Sequence, residues 1–143
     1  MKTIHFIALA FSFLSKSMGA IIVDHECTRI ENIPVNAIES AKAALHIAYG
    51  HTSHGSQITD GMSGLVAFMN NKGYPDDLFK WSQTGSDGAL HLYEGDGYGE
   101  GDLDHDAGYY PQWVDETREY MGQPTSEGRG SNHPDMNVIM WSG

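Results

Sequence analysis

Leu45-His46-Ile47-Ala48-Tyr49-Gly50-His51-Thr52-Ser53-His54-Gly55-Ser56-Gln57 is the stretch on which the fold of this chain turns. Leu45 to Tyr49 form a short apolar run stopped by Gly50, the pattern of a buried strand bounded by a turn. From Ser56 to about Asn70 the period changes, and Ile58, Met62, Leu65, Val66 and Met69 fall on one face of a helix. Gly73 then ends that helix as a left-handed cap does. A strand, a loop from His51 to Ser56 and a helix make half of the repeating unit from which parallel sheets are built.

Upstream, Pro34 sits where a first helical turn tolerates a missing N–H, and a helix to about Ala44 carries Ile38, Ala41 and Leu45 at helical spacing. Downstream, Leu78 to Trp81 and Ala89 to Tyr93 are two short strand candidates. Thr84 to Gly108 is so rich in glycine and acidic residues that it reads as a long surface loop. A third helix is expected from Pro111 to Met121, with Trp113, Val114, Thr117, Tyr120 and Met121 along one side. Gln123 to Pro134 reads as a polar linker, and Met136 to Trp141 as another buried strand. Strands alternating with helices of this length predict an α/β fold with a parallel sheet. A parallel strand at the C-terminus lacks a following helix to cover it, so the chain is expected to be the N-terminal part of a longer domain, with a complete small domain as the alternative.

The beginning of the chain has a different character. Lys2, the apolar run Ile4 to Leu14 and the small residues up to Ala20 have the order of a cleavable secretory signal. That run of 11 residues is well short of the ~20 that span a bilayer. Residues 1–20 are therefore read as a signal peptide and 21–143 as one α/β domain, secreted or periplasmic. Eight Lys and Arg against 19 Asp and Glu give a formal charge of −11 without a basic patch, which argues against nucleic acid as a partner. Cys27 is the single cysteine, so no internal disulfide forms.

Reactive side chains are densest from Tyr49 to Gln57, where the carboxyl end of a strand meets a helix N-terminus and open α/β sheets build ligand sites. Ser53 is the candidate nucleophile, needing a base to take its proton and backbone amides to receive an oxyanion, with Gly55 as one such donor. Helix capping is the commoner use of Thr52, Ser53 and Ser56. His51 and His54 flank the serine. They either shape the loop or make a two-histidine metal signal that lacks the further ligands zinc needs.

Asp102, Asp104 and Asp106 alternate as at the opening of a calcium loop, but the glycine arrives at Gly108 and Trp113 stands where a bidentate glutamate would be. A solvated acidic loop is the plainer expectation, with a looser calcium site beside it. Trp81, Tyr93, Tyr98, Tyr109, Tyr110 and Trp113 around this stretch either stack on sugar rings or anchor the loop.

Ile47 to Met62, through His51-Thr52-Ser53-His54-Gly55, resembles the first block of the SGNH or GDSL-like hydrolases, in the branch with His-x-Ser-x-Gly for the usual Gly-Asp-Ser. The Tyr49 to Ser56 core is also similar to that of secreted bacterial proteins of unassigned role. The resemblance implies a three-layer α/β/α fold and hydrolysis of ester or acetyl groups, often on carbohydrate, by Ser53 with a histidine base. Thr52 stands where the family has aspartate, and no Asp-x-x-His pair follows near the C-terminus; His105 after Asp102 has that spacing but lies mid-chain. The expectation is a secreted esterase, or an inactive fragment of one, acting on an ester-bearing small molecule or glycan without a cofactor. Its rival is a non-catalytic binding protein using the Tyr93 to Trp113 region for glycan or calcium-assisted contacts.

Overall fold

The computed structural model describes residues 24–52, 54–95, 102–103 and 109–142, without the side chains of Glu26 and Cys27. The expected signal peptide lies outside the described residues. The chain divides into two units, residues 1–32 and 33–143. Within the first, two short 3-10 turns span His25–Thr28 and Ile30–Asn32.

The second unit holds helices α1 (Val35–Ala44), α2 (Ser56–Asn71) and α3 (Gln112–Met121) and strands β1 (His46–His51), β2 (Trp81–Ser82), β3 (Leu90–Gly95) and β4 (Val138–Ser142). The four strands form one sheet in the order β2-β3-β1-β4, and every neighbouring pair is parallel. β1 is central. Ala48 and Tyr49 within it have no exposed surface, as expected for a strand covered on both faces.

Period-two alternation sorts the side chains of β1 onto two faces. Ile47 and Tyr49 pack with Leu92 of β3 against Met62 of α2. Ala48 packs instead with Tyr120 of α3, Leu103 and Met136. With α2 on one face and α3 on the other, the fold is a three-layer α/β/α sandwich. Among the described residues no helix is long and apolar enough to cross a membrane.

Several elements differ from the sequence-based expectation. Leu78 and Phe79 lie in a turn, and the strand expected there is reduced to Trp81–Ser82. Thr84 to Gly108 is not one surface loop: it contains β3, and Leu103 is fully buried. The apolar side chains of Leu90 and Leu92, spaced by two, suffice to draw this acidic, glycine-rich stretch into the sheet. Gln123 to Pro134 is not a linker. Its backbone closes on itself through a Pro124–Gly130 bridge, and Asn132 N–H donates to the Met121 carbonyl at 3.1 Å, so the segment packs against the end of α3.

α2 starts at Ser56 as expected and is followed by Gly73 at φ +87°. Its buried face is rotated, however: Ile58 is 43% exposed while Thr59 is buried. The reason lies at the end of the sheet.

Candidate functional site

β1 ends at His51, and residues 52–55 turn the chain into α2. The connection out of β1 runs to the α2 face, whereas the chain leaving its neighbour β3 reaches α3 on the opposite face. The carboxyl ends of these two adjacent strands therefore part, and such a parting is where open α/β sheets bind ligands.

His51 fills the base of this crevice with only 3% of its side chain exposed. Its Nδ1 lies 2.8 Å from the Thr52 carbonyl oxygen and its Nε2 3.0 Å from Oε1 of Glu94, the penultimate residue of β3. A carbonyl oxygen only accepts, so Nδ1 carries a proton toward Thr52. Nε2 and the Glu94 carboxyl share another, as imidazolium with carboxylate or as imidazole with carboxylic acid. In both forms each ring nitrogen is engaged, so His51 orients the turn and offers no lone pair to a neighbouring hydroxyl.

Thr59 explains the rotation of α2. Its hydroxyl lies 2.5 Å from Glu94 Oε1 and 3.0 Å from the Ser56 carbonyl, which places a polar side chain on the buried side of the helix. Glu94 N–H donates to Oε1 of Gln83 at 2.8 Å, fixing the strand beneath the carboxylate. From the other edge, the Tyr49 hydroxyl donates to the Gly55 carbonyl at 3.1 Å and meets the Ser142 hydroxyl at 2.5 Å. Thr52 N–H donates to the Ser142 carbonyl at 3.3 Å. Three strands thus hold one turn.

Ser53, the candidate nucleophile, lies outside the described residues; Thr52 and His54 on either side of it are described. His54 is exposed. The Gly55 N–H donates to the Thr52 carbonyl at 2.7 Å, so in this conformation it closes the turn and is not the oxyanion donor the sequence suggested. Gly55 instead matters for close packing. A Cβ there would collide with the His51 side chain and with Ser142 Oγ, so only glycine lets α2 start this near the sheet.

The engagement of both His51 nitrogens also removes His51 and His54 as a ready two-histidine chelate. In the expected calcium set, Asp102 Oδ1 accepts from the Tyr93 hydroxyl and from Leu103 N–H, each at 2.7 Å, and so brackets the chain back onto β3. Asp104 and Asp106 lie outside the described residues. Of the aromatics, Trp81 and Tyr93 are half-buried against the two core clusters, Tyr98 lies outside the described residues, and Tyr109 and Tyr110 are 77% and 80% exposed.

Glu94, Thr59 and Ser142 were not singled out as site residues by sequence reasoning, whereas Tyr49 lay in the densest reactive stretch without a role of its own. Glu94 is 43 residues from His51, and only the parallel register Tyr49↔Glu94 brings it to the end of β1. No family model, no curated protein and no solved structure matches this chain.

Proposed function

We propose that the protein is an exported serine hydrolase of ester bonds, acting at the β1–α2 turn with Ser53 as nucleophile. The observation that carries this reading is the buried His51–Glu94 pair, which holds the end of β1 and the Thr52 carbonyl, the residue before Ser53 in sequence, at the crevice between β1 and β3. The strand order adds support. With the two-residue β2 set aside, the strands run second-first-third along the sheet, the order with which flavodoxin-like doubly wound sheets begin.

In this mechanism the Ser53 hydroxyl attacks the ester carbonyl carbon, its proton passes to a base, and the alcohol leaves from an acyl-serine that water then hydrolyses. His51 is a positioning residue. His54, exposed beside Ser53, is the histidine of the turn left to serve as base, and the N-terminus of α2 favours the negative charge of the tetrahedral intermediate. Export follows from the charged, apolar and small-residue order of residues 1–20.

Hydrolysis of a generic acetyl ester by the wild type, Ser53→Ala and His54→Gln tests the reading. The expected result is a loss of at least about 100-fold in Ser53→Ala and a smaller loss in His54→Gln. Equal rates in wild type and Ser53→Ala would sink it.

A second reading, glycan binding without catalysis, is favoured by the exposure of Tyr109, Tyr110 and Trp113, at 77%, 80% and 42%. It expects quenching of tryptophan fluorescence by soluble oligosaccharides, weakened in Trp113→Ala. It also expects a calcium-dependent rise in Tm that is lost when Asp104 and Asp106 are neutralised.

A further inference from the structure

At the amino end of the same sheet a second group of side chains converges, independent of the turn around Ser53. His46 opens β1, and the register places His91 of β3 directly beside it on the α3 side of the sheet. Their rings stand 5.0 Å apart between centroids. Asp135, in the loop entering β4, places Oδ2 3.8 Å from Nδ1 of each histidine. The three donor atoms all lie within 4.8 Å of one another.

The frame that holds them is built. Asn137 donates from Nδ2 to the Ala44 carbonyl at 2.7 Å and accepts from His46 N–H at 2.9 Å, while its own N–H donates to the His46 carbonyl at 3.0 Å. That double clasp fixes the starts of β1 and β4 against each other, and Asp135 is two residues away. On the far side, Gly85 packs so closely on His91 that a Cβ would sit 2.7 Å from the histidine's own.

The group is ordered but unsatisfied. At 3.8 Å the histidine–aspartate contacts are too long to be hydrogen bonds. His46 Nδ1 is buried with no hydrogen-bond partner among the described residues. A buried polar atom left so costs free energy, and two imidazole nitrogens that converge with a carboxylate oxygen can be satisfied together by one cation lying among them.

We propose that His46, His91 and Asp135 bind a borderline divalent transition metal, Zn²⁺ above all, with a fourth coordination position open to solvent. Two imidazoles and a carboxylate are a donor set for zinc or its neighbours, whereas calcium and magnesium take oxygen ligands. Metal–ligand bonds of about 2.0–2.1 Å in a tetrahedron separate ligand atoms by about 3.3 Å. The 3.8 Å contacts need to close by roughly half an ångström, which the exposed Asp135 side chain can supply, and the two histidine nitrogens, within 4.8 Å of each other, by up to about 1.5 Å through rotation of their rings. His46 and His91 also line a cavity of about 460 Å³ together with Glu39, Lys42 and Thr84. Three protein ligands and an open site is the arrangement of catalytic rather than structural zinc.

The full chain, stripped of metal with a chelator, is titrated with Zn²⁺ by calorimetry and with Co²⁺ by visible absorption. The expected result is tight binding of one Zn²⁺ and the intense bands of four-coordinate Co²⁺. Affinity falls at least about tenfold in both His46→Gln and Asp135→Asn and changes less than about twofold in His54→Gln. Asp135 is exposed, so Asp135→Asn folds even if a histidine variant does not, and Zn²⁺ raises the wild-type Tm but not that of Asp135→Asn. Wild-type binding no tighter than about 100 µM, or affinity unchanged in Asp135→Asn, overturns the proposal.

Discussion

The two ends of the parallel sheet use the same chemistry, histidine beside carboxylate, and arrange it in opposite ways. At the carboxyl end, His51 engages both ring nitrogens, at 2.8 and 3.0 Å, and Glu94 collects a further contact from Thr59. At the amino end, His46, His91 and Asp135 stand at 3.8 Å, and a buried ring nitrogen has no partner among the described residues. A closed network is a structural clamp, strong because each member would be orphaned without the others. An open one contributes little to folding and leaves room for a guest.

The largest expected effect breaks the clamp. Glu94→Ala leaves His51 Nε2 buried without its partner and Thr59 with the Ser56 carbonyl, and should cost about 3 kcal/mol of unfolding free energy in urea denaturation. A cost under about 1 kcal/mol would mean that the clamp is not closed. Gly55→Ala comes next, at about 2 kcal/mol, because its Cβ meets the His51 side chain and Ser142. Its control is Gly61→Ala on exposed α2 surface, where a Cβ meets nothing and should stabilise by about 0.5–1 kcal/mol.

Tyr120→Phe should change stability by less than about 1 kcal/mol at neutral pH, since the Tyr120 hydroxyl is buried with no hydrogen-bond partner among the described residues. Its effect is on pH dependence. The folded phenol is held above its ordinary value of 10.0, chiefly by burial, so as pH rises past that value the unfolded chain loses the proton while the folded one keeps it. Stability therefore falls with rising pH above 10, and Tyr120→Phe should flatten that alkaline limb in denaturation curves. Smallest of all, Asp135→Ala in metal-free protein should shift stability by no more than about 0.5 kcal/mol, in contrast to Glu94→Ala. A loss as large as that of Glu94→Ala would show that the amino end is a clamp as well.

The same contrast explains what was legible in the sequence. β1 and α2 stand out because a local apolar run and a helical period record what is buried, and Ile47, Met62 and Met69 fall where they place them. β4 was located too, but not as the buried strand expected over Met136 to Trp141: it is the edge strand Val138–Ser142, each residue of which keeps some exposure. β3 was located but clipped, since Glu94 and Gly95 read as the start of an acidic loop and not as the end of a central strand. Leu78 and Phe79 carry an apolar pattern too, yet they close a turn over α1 and α2 and leave only Trp81–Ser82 in the sheet. Thr59 in place of Ile58 on the buried side of α2 was beyond any periodicity argument, because its reason is a carboxylate on another strand. At both ends of the sheet the partners are more than 40 residues apart, His51 with Glu94 and His46 with His91. Their meeting depends on parallel register, which sequence spacing does not encode. Local spacing allowed His51 and His54 as a metal pair beside the preferred loop-shaping role, and Asp102, Asp104 and Asp106 as a calcium set beside the plainer acidic loop. Of these, His51 is bound up in the clamp and Asp102 brackets a loop.

The proposed role of Ser53 as nucleophile is open to direct covalent capture. Full-length protein treated with an alkyl fluorophosphonate and digested for mass spectrometry should carry one phosphonyl adduct on the peptide containing Ser53. The adduct should be absent in Ser53→Ala and slowed in Glu94→Gln, where His51 Nε2 loses its carboxyl partner. No adduct on the folded wild-type protein, or one that persists undiminished in Ser53→Ala, would contradict the account.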